Sequence, residues 1–95
     1  MKNDAYIFDA LRTPRGKKKN GALTQFTPTD ILSKLLIFLK KKHQLDTTQV
    51  DDVIMGCVTP TGEQGGNIAK AALQYAEWDY NVPGMQINRF CASGL

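Results

Sequence analysis

Three short apolar runs alternate with two stretches that open on helix-start chemistry, and this alternation constrains the fold more than any other feature of the chain. The runs are Ala5–Leu11, Val50–Val58 and Met85–Asn88. Their β-branched and aromatic content suits strands that are buried or nearly so. Between the first two, Thr27-Pro28-Thr29-Asp30 offers a capping hydroxyl, a proline for the first helical position and an acid for the first turn. Between the second and third, Asn67 can cap a helix from Ile68 to about Trp78, whose Ala69, Ala71, Ala72 and Ala76 let it lie close on a sheet. Strand, helix, strand, helix, strand is the order of right-handed βαβ units, so the expectation is an α/β fold with a parallel or mixed sheet.

The first helix carries Ile31, Leu32, Leu35, Leu36, Ile37, Phe38 and Leu39, too broad a set for one narrow stripe, and is expected to be buried on much of its surface. Lys40, Lys41, Lys42 and His43 then put positive charge on its last turn, where the helix dipole favours it. With Lys17-Lys18-Lys19, these lysines account for half of the 12 basic residues and so for the net charge of +3. No aromatic residues interleave with them, which argues for solvated surfaces and against a nucleic-acid site. Arg12-Thr13-Pro14-Arg15-Gly16 ends the first run, and the lysine-rich segment to Phe26 reads as a loop. The apolar stretch Leu35–Leu39 is far too short to span a bilayer, and Met1-Lys2-Asn3-Asp4 opens no signal segment. Two cysteines without a disulfide or metal-ligand spacing fit a reducing compartment, and a cytoplasmic protein is expected, with no metal site and no membrane span.

The chemistry concentrates in the last nine residues, Ile87 to Leu95. Met85 to Asn88 would deliver Cys91 onto a sharp turn at the start of a helix. Unsatisfied backbone N–H groups and the positive end of a helix dipole favour thiolate there. Small residues at Ala92, Ser93 and Gly94 would let a substrate carbonyl approach the turn's amides, which could hold a developing oxyanion. The rivals are weaker. Cys57 lies among strand apolars and reads as a small buried hydrophobe. His43, the only histidine, sits on a basic, exposed helix end with no acidic partner expected beside it, so no catalytic role is expected for it. The glycine-rich loop Thr59–Gly66 lacks both the lysine ending of a P-loop and the spacing of a dinucleotide fingerprint. A helix opening at Cys91 would have barely one turn before Leu95, so residues 1–95 are expected to be the N-terminal piece of a longer protein.

Four motifs in order carry a resemblance: Arg12-Thr13-Pro14-x-Gly16, Val50-Asp51-Asp52-Val53-Ile54-Met55-Gly56-Cys57-Val58, Gln64-Gly65-Gly66-Asn67-Ile68-Ala69-Lys70 and Asn88-Arg89-Phe90-Cys91-Ala92-Ser93-Gly94-Leu95. Together they resemble the N-terminal part of a thiolase, closest to the acetyl-CoA acetyltransferases and 3-ketoacyl-CoA thiolases. The resemblance implies that residues 1–95 belong to the first of two similar halves of an αβαβα-layered fold with a mixed sheet. It implies Cys91 as the nucleophile of a ping-pong acyl transfer, forming an acyl-thioester intermediate. Acyl-CoA, acetyl-CoA and coenzyme A would be substrates in fatty acid and lipid metabolism, with no tightly bound cofactor. A homodimer or homotetramer is implied, with the loop Glu63–Asn67 near the active sites. The family's activating histidine, second cysteine and CoA-binding loop domain have no counterpart in this stretch, so the chain alone is expected to be inactive and its substrate-binding residues are not named. The alternatives are a non-catalytic thiolase-like CoA or lipid binder and a related ketoacyl synthase.

Overall fold

A computed structural model describes residues 3–95; residues 1 and 2 of the expected 1–95 domain lie outside it. Helix α1 runs Pro28–His43, strand β1 Val53–Gly56, helix α2 Ile68–Tyr75 and strand β2 Gly84–Ile87. Single 3-10 turns lie at Thr47–Gln49, Gly62–Gln64 and Phe90–Ala92. The two strands pair in parallel, with Val53 opposite Gly84 and Gly56 opposite Ile87. The β1–α2–β2 segment is therefore the βαβ unit the alternation implied.

Capping chemistry starts both helices where the sequence placed them. The Thr27 hydroxyl accepts from the Asp30 N–H at 3.2 Å, and the Asp30 carboxylate accepts from the Thr27 N–H at 3.3 Å, a reciprocal capping box. The Asn67 side chain accepts from the Lys70 N–H at 3.2 Å. The stops are less orthodox. Gln44 and Glu77 both adopt left-handed φ, at 46° and 56°, without being glycine. Each closes its helix with a bond reaching back five residues, from the Leu45 N–H to the Lys40 carbonyl and from the Trp78 N–H to the Leu73 carbonyl. This ends α2 at Tyr75, three residues before the expected Trp78.

The core lies between α1, α2 and one face of the sheet: Leu36, Val53, Ala72, Leu73, Ala76, Trp78 and Val82. Trp78 is buried and its Nε1–H donates to the Leu36 carbonyl at 3.3 Å, joining the end of α2 to α1. On the opposite sheet face Ile54 and Met85 sit directly across from each other, and both are exposed.

The expected first strand is absent. Residues 5–11 form no ladder, and Ile7 and Phe8 are each 91% exposed. Its composition suits a strand, but a strand exists only through a partner, and this segment pairs with neither β1 nor β2. It is tethered instead through Asp9, whose carboxylate lies 2.8 Å from Lys42 Nζ and 2.6 Å from His43 Nε2. Thus His43 does have an acidic partner, contrary to the sequence reading, because that partner comes from 34 residues away. Donation from Lys42 and then His43, with a further bond from the Ala10 N–H, holds the Asp9 carboxyl well below the usual carboxylate range.

Candidate active site

Strand β2 is fastened to the entrance of α2 before it delivers its cargo. Asn67 caps α2 with its Oδ1 and donates its Nδ2–H to the Gly84 carbonyl at 2.7 Å. Gln86 Oε1 accepts the Ile68 N–H at 2.9 Å, satisfying another amide of the helix's first turn. The approach is close: a methyl at Gly84 would lie 2.6 Å from the Lys70 backbone nitrogen. Lys70 Nζ then reaches the Tyr80 and Val82 carbonyls, both at 2.7 Å, fixing the connection that leads into β2.

Just beyond β2 the chain turns sharply. Phe90 has φ of 50°, a left-handed conformation that costs a bulky L-residue about 1–2 kcal/mol. Several bonds hold it there. The Asn88 carboxamide oxygen accepts the Phe90 N–H at 2.8 Å. The Ser93 hydroxyl accepts the Arg89 N–H at 2.9 Å and donates to the Phe90 carbonyl at 2.7 Å. The Ser93 N–H bonds the same carbonyl at 3.1 Å. Cys91 stands inside this loop of bonds, exposed, past the carboxyl end of β2. Ligands of parallel sheets gather at that end of the strands.

The turn differs from the expectation in two respects. Phe90–Ala92 is a single turn of 3-10 helix, so the dipole of a longer helix invoked for Cys91 is not built within residues 90–95. The Ala92 and Ser93 amides are committed to the Arg89 and Phe90 carbonyls, both at 3.1 Å, and do not face outward. Among the described residues the Cys91 N–H has no protein acceptor and remains available to a ligand oxygen.

None of the other sequence candidates is bonded into this turn among the described residues. Cys57 is buried, its Sγ 3.9 Å from the Gln64 carbonyl, while its N–H donates to the Ile87 carbonyl at 2.9 Å. Its backbone therefore continues the β1–β2 pairing one residue past Gly56. His43 lies at the far end of α1 with Asp9, Leu39 and Leu45. In the Thr59–Gly66 loop, Gln64 Nε2 donates to the Thr59 carbonyl at 2.6 Å, and Glu63 Oε2 accepts the Thr29 N–H at 3.5 Å, at the limit of a hydrogen bond. A hollow of about 610 Å³ between the C-terminal ends of the helices, lined by Lys40, Gln44 and Tyr75 among others, shares no residue with the Cys91 turn. No group of three or more His, Cys, Asp or Glu side chains able to hold a metal occurs among the described residues, and none of their helices is long and apolar enough to cross a membrane.

Residues 5–95 match the family model described as thiolase, N-terminal domain. Among curated proteins, the 3-ketoacyl-CoA thiolases of Cronobacter sakazakii and Serratia proteamaculans are each 41% identical over 90 residues, covering 94% of this chain and 23% of theirs. The 3-ketoacyl-CoA thiolase of Saccharophagus degradans is 39% identical over 93 residues, covering 97% of this chain and 24% of its own. The chain spans about a quarter of the length of these relatives.

Proposed function

This chain belongs to the thiolase family, and on that basis we propose that it is the N-terminal part of an acyl-CoA acyltransferase in which Cys91 is the acyl-accepting nucleophile. The observation that supports this most strongly is the Cys91 turn itself: an exposed thiol beyond the carboxyl end of a parallel strand, on strained backbone, beside its own unengaged amide. In the proposed reaction the Cys91 thiolate attacks the carbonyl carbon of acetyl-CoA or the 3-keto carbon of a 3-ketoacyl-CoA. The Cys91 N–H, which has no protein acceptor among the described residues, would share the oxyanion that develops. Collapse expels CoA thiolate in the first case; in the second it breaks the bond between C2 and C3 and releases acetyl-CoA once C2 is protonated. The acyl group then leaves Cys91 for the sulfur of CoA, or for the α-carbon of a second acetyl-CoA that has lost a proton.

Each of these steps needs a proton donor or acceptor. The side chains bonded into the turn are those of Asn88 and Ser93, and neither can serve. The chain alone is accordingly inactive in this reading, and the acid/base groups come from elsewhere in a two-half, αβαβα-layered protein with a mixed sheet, acting in the cytoplasm as a homodimer or homotetramer. A layered fold also accounts for the bare sheet face at Ile54 and Met85, which a further layer would cover.

The test is half-reaction exchange in the intact protein. Isotope-labelled CoA should exchange into unlabelled acetyl-CoA with no second acyl acceptor present, and Cys91→Ser should abolish that exchange while leaving the thermal transition unchanged. Exchange that survives in Cys91→Ser would dismiss the assignment.

A further inference from the structure

The Cys91 turn is seated on β1 as well as on itself. Gly56 is the last residue of β1 and lies directly opposite Ile87, the last residue of β2. Gly56 has no positive φ to explain its being glycine. Space explains it. A methyl on its Cα would overlap the Ser93 carbonyl oxygen, with the Ser93 carbonyl carbon at 2.5 Å and the Ser93 Cβ at 2.8 Å. Most of that contact is backbone, so no side-chain rotation could relieve it. The same Ser93 uses its hydroxyl to join the Arg89 N–H to the Phe90 carbonyl, on the two residues that precede Cys91.

We infer that Gly56 and Ser93 are positioning residues for the nucleophile: Gly56 sets how closely the turn approaches β1, and the Ser93 hydroxyl locks the left-handed Phe90 that aims Cys91. The inference rests on the function proposed for Cys91 and goes beyond it by naming the contacts that hold the thiol in register. Neither residue touches a reacting atom. Ser93 Oγ has both of its bonds inside the turn, and Gly56 has no side chain to offer. A methyl at Gly56 must push the turn away from β1, and displacements of about 1 Å at a nucleophile lower acyl transfer by about 10²-fold. Loss of the Ser93 hydroxyl removes two bonds from a strained turn and lets Phe90 relax towards ordinary backbone angles.

Positioning separates from mere stability by comparing two reactions of one thiol. Transfer from acetyl-CoA needs the attacking sulfur aligned with a bound carbonyl, whereas alkylation by iodoacetamide needs only an accessible thiolate. Wild type, Gly56→Ala, Ser93→Ala and Ser93→Thr are prepared in the intact protein, and acetylation and alkylation of Cys91 are each followed by peptide mass spectrometry. Acetylation should fall by about 10²-fold in Gly56→Ala and about tenfold in Ser93→Ala, as a loss of kcat at little-changed KM. Alkylation should stay within about threefold of wild type, and Ser93→Thr, which keeps the hydroxyl, should recover most of the acetylation. Wild-type acetylation in both Gly56→Ala and Ser93→Ala would overturn the inference and leave the role of Cys91 standing. So would equal losses of both reactions, which report a damaged or buried thiol and not a misaimed one. Wild-type protein that alkylates at Cys91 but never acetylates there would instead overturn the function on which the inference rests.

Discussion

Asn67 joins the helix that packs the sheet to the strand that carries Cys91, and its replacement separates those two duties. Asn67→Ala removes the α2 cap, worth about 1 kcal/mol, and the bond from Nδ2 to the Gly84 carbonyl, worth about another 1 kcal/mol. The Gln86 bond to the Ile68 N–H remains, so the helix entrance keeps one anchor to β2. The sum of about 2 kcal/mol corresponds to about a thirtyfold rise in local opening. Asn67→Ser keeps an oxygen for the cap and loses the Gly84 bond, so about 1 kcal/mol should go. Asn67→Asp is the sharper variant. It keeps the acceptor and adds a favourable dipole contribution of about 0.5 kcal/mol. It also turns a second carboxylate oxygen towards the Gly84 carbonyl that had received a donor at 2.7 Å. Native-state amide exchange in the intact protein reads these effects at Lys70, Ala71 and the β2 amides, and the expected order of protection is Asn, then Ser and Asp together, then Ala. An Asp variant as well protected as wild type would refute the bond to Gly84. An Ala variant within about twofold of wild type would refute both duties at once.

Other outcomes follow from the same geometry. Asp9 has a folded-state pKa lowered by Lys42 and His43, so its tether is complete above the ordinary carboxylate range and fades as acid protonates it. Acid-protease cleavage near Phe8 should therefore be faster in Asp9→Asn than in wild type at about pH 4, with the ratio shrinking progressively as the pH is lowered further; a ratio that stays constant with pH would contradict this. Trp78→Phe loses the Nε1–H bond to the Leu36 carbonyl and some core volume, and should cost about 2 kcal/mol in exchange-derived stability of α2; a change below about 0.5 kcal/mol would show that bond to be idle. Cys57, which is buried, should resist iodoacetamide until denaturant is added, and labelling as fast as at Cys91 would place it wrongly.

What could be read from the sequence was what neighbouring residues decide between themselves. Thr27, Pro28 and Asp30 determine the start of α1 within one turn, and Asn67 does so for α2, so both were legible. The end of α1 at His43 was legible too, from the basic last turn Lys40–His43; that of α2 was not, because Glu77 takes a left-handed angle that a sequence normally signals with glycine. The run at 5–11 has strand composition, yet a strand is a relation between two segments, and one segment cannot declare the other. Asp9 meeting His43 is likewise a contact across 34 residues. At the candidate site the order of strand, turn and cysteine was readable because it is continuous in the chain. The reason for a glycine at position 56 was not, since it lies in Ser93, on another element. The Ser93 hydroxyl, read from the sequence only as part of a small-residue run, is a structural bond of the turn.

The central claim is that Cys91, and not Cys57, takes the acyl group. Brief exposure of the intact protein to acetyl-CoA, followed by quenching and peptide mass spectrometry, tests it directly. An acetyl adduct on the peptide containing Cys91, absent from the peptide containing Cys57 and discharged on addition of CoA, is the result this account requires. An adduct on Cys57 with Cys91 unmodified would contradict it.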